Sequence, residues 1–425
     1  MQVFISDVHL TDGSSGETIN AGALKVFAEN LRTLVASVRE KSAVVTELQI
    51  VLLGDIFDVI RSAKWLEAGV SVRPWSPASP EQEAFVLRIV NDIVRQNAGT
   101  LAHLNGLRDF AKGQNVPFKL VYVMGNHDWL INRYASCRKA IAGALGMEAP
   151  AEGFPLELFD PAYKTFATHG DRYDSFNYMG HRDGSSIGDA IVIELLNRFP
   201  IMVRGGLDAL VAAGKLKDEE RQEIVKQLKE LDNIRPLLDA PSWVLKVLKE
   251  TRNQGARTVI LEAWKKCADE FFKVPFIQKM DVPFWPDKID LLQVLLKVVS
   301  HGSMPMVEEV AGKLKKLFFM SGEEGDYNKK ACAEHLLRSG DASFVLYGHT
   351  HDHVIMPLDQ VQTDSAGIVD KIYFNTGTWR QTWNKAILDP AQREFIGWKV
   401  LTYIAFYDKD ENADYSFEVW NGALG

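Results

Sequence analysis

Apolar and polar positions follow two different rhythms along this chain. Short apolar runs at Gln2–Ser6, Gln49–Leu53, Lys119–Met124 and Tyr163–Thr168 read as buried strands. Between the first two, Leu24, Phe27, Leu31, Leu34, Val35 and Val38 recur at three- and four-residue spacing. That spacing predicts a helix over Ala21–Lys41 with one apolar face. After the Pro- and Ser-rich loop Ser71–Pro80, a helical pattern opens at Pro80 and runs to about Ala111. Strands alternating with helices predict an α/β core.

Near Asp183 the pattern changes. Helical spacing dominates at Ile187–Phe199, Asp218–Leu231, Ser242–Arg252, Ala256–Phe272, Lys288–Val299, Met304–Phe319 and Asn328–Ser339, almost without strand signals. Strand patterns return at Ser343–Leu346, Lys371–Asn375, Trp398–Tyr407 and Tyr415–Trp420. We therefore expect a core split in sequence, residues 1–182 and 341–425, around a helical insertion at 183–340. A length of 425 residues suits one large domain with an insertion, or two domains.

The composition, 46% hydrophobic and 24% charged, is enough for a packed core and argues against disorder. The net charge of −8 disfavours long nucleic acid as a partner, since phosphate neutralisation needs clustered Lys and Arg. Cys137, Cys267 and Cys332 are odd in number and far apart, which suits a reducing compartment and offers no thiolate zinc site. The opening MQVFISDVHL is too short an apolar run for a signal peptide, and no run of about 20 apolar residues predicts a membrane span. These features place the protein in the cytoplasm, as an expectation.

The chemistry gathers at the strand ends. The predicted core strands finish in Ser6-Asp7-Val8-His9, Gly54-Asp55-Ile56-Phe57-Asp58, Gly125-Asn126-His127-Asp128, His169-Gly170-Asp171 and Gly348-His349-Thr350-His351. Sites in open α/β sheets form outside the carboxyl ends of strands, so five such ends predict one convergent site. In extended chain, residues i and i+2 point the same way, which would aim Asp7 with His9 and His349 with His351. Mixed Asp and His donors suit transition metals such as Mn, Fe or Zn better than Ca or Mg. Seven ligand-type residues exceed one tetrahedral metal and suit two metals sharing a carboxylate. The preceding glycines, Gly54, Gly125 and Gly348, permit tight turns and close backbone approach.

The ordered set D-x-H, G-D-x-x-D, G-N-H-D, an isolated His and G-H-x-H resembles the calcineurin-like metallophosphoesterase superfamily. The resemblance covers roughly residues 1–175 and 343–380 and implies an α/β fold, a four-layer α-β-β-α sandwich, here with a large helical insertion. It implies Asp7, His9 and His351 on one metal, Asn126, His169 and His349 on a second, and Asp55 bridging both. The metals would be divalent transition ions, Mn first, with Fe or Zn as alternatives. His127 would stabilise the phosphate or protonate the leaving group, Asp128 would orient His127, and Asp58 would stand behind the ligands. The implied reaction is hydrolysis of a phosphoester or pyrophosphate by a hydroxide bridging the two metals. On the same site, a nuclease or cyclic-nucleotide phosphodiesterase is the alternative, and a non-catalytic scaffold the third.

The opening SDVHL, the GDIFD box, HGD, the helical insertion and NTGTW at 375–379 further resemble the UDP-2,3-diacylglucosamine pyrophosphatase branch. That branch reads GNRD where this chain reads GNHD, and this chain is far longer. The resemblance implies a nucleotide-sugar or lipid-linked substrate and peripheral membrane contact through the insertion. Arg172 and Arg182, in the polar run after His169, are candidate phosphate binders, with surface ion pairing the plainer role. FFKVPFIQKMDVPFWP at 271–286 is expected to be a buried connector, or else an apolar lid beside the metals. His353 is expected outside the ligand set. His103, His181, His301 and His335 match no motif, although His181 is placed where it could line the pocket.

Overall fold

In the computed structural model, residues 1–16, 19, 21–40, 44–281, 287–299, 309, 327–363, 367–386, 395–412 and 414–423 are described. The strands in chain order are β1 (Gln2–Ile5), β2 (Leu48–Leu53), β3 (Phe118–Val123), β4 (Glu157–Asp160), β5 (Thr165–Thr168), β6 (Ile234–Arg235), β7 (Phe344–Tyr347), β8 (His353–Thr363), β9 (Gly367–Thr376), β10 (Thr382–Lys385), β11 (Phe395–Trp398), β12 (Val400–Phe406) and β13 (Phe417–Ala423). One five-stranded sheet has the order β13-β12-β1-β2-β3, a second has β4-β5-β7-β9-β8, and a small sheet has β11-β10-β6. All the apolar runs named as strands become strands, within a few residues at their ends.

Both large sheets are mixed. β1, β2 and β3 are parallel neighbours, with β12 and β13 added antiparallel. Parallel neighbours need a crossover, which the helix Ala21–Glu40 supplies between β1 and β2. In the second sheet β5, β7 and β9 run parallel, flanked by antiparallel β4 and β8. Alternation along each strand sends side chains to two faces. Phe4, Val51, Leu53, Val123 and Phe406 of the first sheet share one apolar cluster with Ala167, Phe344, Leu346 and Phe374 of the second. Across it, the Phe344 and Phe406 ring centroids lie 5.1 Å apart. The other face of the first sheet, with Val3, Ile5, Ile50 and Leu52, packs in the cluster that holds Leu24, Phe27 and Leu31.

Several elements depart from the sequence pattern. The helical region opening at Pro80 breaks at buried Asn97 into Pro80–Gln96 and Ala98–Gly113. The Asn97 amide donates to the carbonyls of Thr11 and Ile93, which explains the break by side-chain competition with the helix. Ile187–Phe199 is not one α-helix: Ile187–Ile191 passes into a π-helical segment, Val192–Asn197, and continues as Arg198–Ala212. β8 escaped the sequence reading because Pro357 and an irregularity at Pro357/Asp359 interrupt its pattern. β4, β10 and most of β11 were not expected from the sequence either, nor was β6. This two-residue strand lies inside the helical stretch and pairs in parallel with β10. Met304–Phe319 lies outside the described residues, Glu309 apart. Among the described residues, no helix is long and apolar enough to cross a membrane.

Candidate metal centre

The loops after β1, β2 and β7 are tied together before any side chain is considered. Asp7 N donates to Gly54 O at 3.1 Å, His9 N to Asp55 O at 2.9 Å and Leu10 N to Ile56 O at 2.8 Å. His349 N donates to Asp7 Oδ2 at 3.0 Å, which joins the carboxyl edges of the two large sheets. Asp7, His9, Asp55, His349 and His351 all have positive φ, between 49° and 70°. This corrects the expected geometry of the D-x-H and H-x-H pairs. Their side chains converge through left-handed turns, not through the alternation of an extended strand. Non-glycine residues in that region cost on the order of 1–3 kcal/mol each and persist where the surroundings over-determine them. Two glycines make room. A Cβ on Gly54, itself at φ +83°, would fall 2.3 Å from His169 Nδ1, and one on Gly125 would fall 2.3 Å from Asp55 Oδ1.

The structure brings together all seven residues expected to ligate metal. Donor atoms of Asp7, His9 and His351 form one group within 4.8 Å, and those of Asp55, His169 and His349 another. The two imidazole nitrogens His9 Nε2 and His351 Nε2 face each other at 3.0 Å, with Asp7 Oδ1 3.3 Å from the latter. Asn126 Oδ1 sits 3.0 Å from His349 Nδ1. Asp55 lies between the groups, its Oδ2 3.3 Å from His169 Nε2 and 3.9 Å from His9 Nε2. His169 donates from Nδ1 to Leu53 O at 2.9 Å, which fixes the ring and leaves Nε2 as the nitrogen turned to the cluster. That Nε2 and Asp7 Oδ1 are buried and have no hydrogen-bond partner. Two buried polar atoms without a hydrogen bond, at the centre of a His and carboxylate cluster, fit a divalent transition cation.

The electrostatics agree. Burial disfavours charge on His169, yet Asp55 and Asp7 lift its pKa to about 10. Such a pocket attracts cations, and bound metal would displace the protons. Burial would also raise the Asp58 carboxyl, but the His127 and His9 imidazoles hold it well below the usual carboxylate range. Burial opposes charge on His127, and Asp58 and Asp55 override it, so its pKa stands well above the usual histidine value.

The ring behind which each histidine leans differs from expectation in one case. Asp58 Oδ1 meets His127 Nδ1 at 2.9 Å, and its Oδ2 meets His9 Nδ1 at 2.8 Å. Asp58, not Asp128, therefore orients the His127 ring. Asp128 instead accepts from Gly125 N at 2.6 Å, Ile56 N at 3.1 Å and the Tyr122 hydroxyl, so it braces the loop backbone. Burial and nearby Asp55 push its carboxyl up to about 7. Sequence reasoning missed Asp174, whose Oδ2 lies 2.9 Å from His349 Nε2 and so turns Nδ1 of that ring inward. The polar run after His169 was its only local signal.

A cavity of about 470 Å³ opens on this edge. Its polar end holds Asp55, Asn126, His127, Asp174, Arg235 and His351. Its wall is apolar, built by Ile191, Val192, Leu195, Leu196, Trp264 and Leu295 among others. Arg172 and Arg182 do not line it. Arg172 pairs with Glu334 at 2.7 Å and Glu157 at 3.2 Å, and Arg182 grips Asp171 through both terminal nitrogens. Their charges are already matched, which removes them as phosphate binders. Phe271 and Ile277 are buried and Phe276 stacks on Trp75 at 5.3 Å, the connector arrangement, while 282–286 lie outside the described residues. His353 joins neither ligand group. His181 is exposed and lies outside the cavity lining, and His301 is outside the described residues.

A family model described as calcineurin-like phosphoesterase matches residues 3–353. No curated protein matches the chain.

Proposed function

The chain belongs to the calcineurin-like phosphoesterase family, and on that premise we propose a hydrolase that holds two divalent transition metals, Mn in first place, and cleaves a phosphoester. One observation carries the reading: Asp55 stands between two buried donor groups at the polar end of an open cavity. Asp7, His9 and His351 would hold one cation, Asn126, His169 and His349 the other, and Asp55 would bridge them. Bound cations would supply a water activated near neutral pH and a hold on the phosphoryl oxygens.

The chain's own residues account for the rest. His127, in the cavity lining, has its imidazolium favoured by Asp58 and Asp55 against burial. With Nδ1 held by Asp58, Nε2 is the atom that donates to the leaving oxygen. Asp128 keeps Gly125 and Ile56 in register, so Asn126 and Asp55 hold their directions.

The apolar wall favours an ester with an apolar substituent, such as a lipid-linked phosphate or pyrophosphate, over a nucleic-acid strand. The UDP-2,3-diacylglucosamine pyrophosphatase resemblance points the same way. We read the two sheets and their shared apolar cluster as the inner layers of an α-β-β-α sandwich, and residues 183–340 as the insertion that roofs the site.

Protein stripped of metal and reconstituted with Mn would be assayed on 4-nitrophenyl phosphate, bis(4-nitrophenyl) phosphate and UDP-2,3-diacylglucosamine. Metal-dependent turnover of any of them supports the phosphohydrolase. Turnover of the aryl esters without UMP release would discard the lipid-linked pyrophosphate. No turnover of any of the three would sink the enzymatic reading as stated.

A further inference from the structure

Among the described residues, the one Lys or Arg that lines the cavity is Arg235, and no motif marks it. It sits on β6, three residues after Asp232, with its backbone fixed by pairing to Asn384 of β10. Its guanidinium donates to the carbonyls of Asp232 at 2.8 Å and Ile234 at 2.9 Å, and lies 2.8 Å from His351 Nδ1. Among the described residues, no carboxylate oxygen comes within 4.0 Å of it. The nearest carboxylate in sequence is already taken. Asp232 Oδ2 pairs with Arg61 at 2.9 Å and with Arg380 at 3.0 Å.

Those two pairs make Asp232 a latch. Arg61 N donates to Asp58 Oδ1, and Arg380 follows Thr378 and Trp379, both of which donate to Asp7 O. The latch thus fixes the segment 232–235 directly against the loops that carry the metal ligands. It also leaves a third arginine beside them whose positive charge lacks a direct anionic partner. Asp232, Asp7 and Asp352 are near enough to favour its charge, yet none touches it, so a buried guanidinium here still gains from an anion that binds it directly. The planar fork suits two oxygens of one phosphoryl group, and the polar floor beside it ends within one residue of the apolar wall at Pro236 and Leu237.

We propose that Arg235 is the substrate's phosphate-binding residue, receiving non-bridging phosphoryl oxygens while Asp232 holds it in place. The assignment rests on the phosphohydrolase reading for the identity of the anion, but not on turnover. It separates this protein's recognition of phosphate from Arg172 and Arg182, whose charges are neutralised elsewhere.

The test is titration calorimetry of inorganic phosphate into the Mn-loaded full chain, comparing wild type with R235Q and R235K, with bound metal measured by elemental analysis. Gln keeps a donor for the Asp232 and Ile234 carbonyls and removes the charge. R235Q is expected to weaken phosphate about 10- to 100-fold at unchanged metal content. R235K is expected to recover part of the loss, and serves as the probe if R235Q does not fold. Wild-type affinity in R235Q, or in R235K where only that variant folds, would overturn the proposal. So would wild type that binds no phosphate. A loss that follows loss of metal would instead make Arg235 a brace for His351 and refute it. Phosphate bound through Arg235 by a protein that hydrolyses none of the esters would keep this assignment and discard the phosphohydrolase.

Discussion

The edge proposed to hold metal and the helical segments proposed to roof it are built by opposite means. At the edge, short loops hold seven donors in place, with left-handed backbone at Asp7, His9, Asp55, His349 and His351 and a carboxylate or carbonyl behind His9, His169 and His349. The apolar wall of the cavity is helical, and it is made by side chains such as Val192, Leu195 and Leu196 on the π-helical segment. The edge gets its definition from directional hydrogen bonds; the roof gets its definition from shape. Chemistry that needs donors placed within fractions of an ångström belongs on the first, and selection among apolar substituents on the second.

The comparison predicts that damage to the edge removes turnover of every ester, while damage to the roof changes which ester is preferred. The largest effect should come from Asp55→Ala, which removes the carboxylate between the two donor groups. Activity on all phosphoesters should fall at least about a thousand-fold, with loss of bound Mn by elemental analysis. Retained metal and activity would break the comparison at its root. His127→Ala should lower kcat about 100- to 10,000-fold on alkyl esters, and much less on 4-nitrophenyl esters, whose leaving group needs little protonation. An equal loss on both would exclude the proton donor.

In the roof, Leu195→Trp should fill part of the wall. We expect kcat/KM on a long-chain ester to fall about tenfold while 4-nitrophenyl phosphate is unaffected, because only the larger substituent reaches that wall. Parallel losses on both would merge the two regions into one. The smallest effect concerns Asp189, at the start of the roof and buried with bonds from Ser185, Ser186 and Trp129. Burial pushes its carboxyl up from 3.8 to about 6, against the bonds from Ser185 and Ser186. The folded state then holds a proton that the unfolded chain releases, so this group's contribution to stability falls as pH rises through that window. Asp189→Asn should therefore gain melting temperature relative to wild type between pH 4 and pH 7, and a difference flat with pH would refute the assignment.

The seven residues that converge on this edge were legible because each lies in a local signature at the end of an apolar run. Parallel strands in the two large sheets bring those ends to adjoining carboxyl edges. Their convergence does not come from alternation along a strand, which is a property of extended backbone, because Asp7, His9, His349 and His351 turn left-handed. Asp174, Asp232 and Arg235 were not legible. Their roles exist only through partners far along the chain, His349 for Asp174, and Arg61 and Arg380 for Asp232. The same holds for Arg172 and Arg182: their residue types suggested phosphate, and only tertiary packing shows the carboxylates that occupy them. The short strand β6 was lost because two residues carry no periodicity to read.

One pairing in the first sheet has a consequence in time. β1 lies between β2 and β12, with Gln2 opposite Phe406, and Asp7 beyond β1 receives His349 N. On a ribosome adding roughly 5–20 residues per second, the first strand and its two ligands wait on the order of tens of seconds for those partners to be made. Until then Asp7 and His9 can form only the half of the centre that β2 and β3 supply. The complete donor set cannot exist on the nascent chain before β5 and β7 and the loop to His351 are synthesised, so binding of any cation that needs the whole set would be a late event in the life of each molecule.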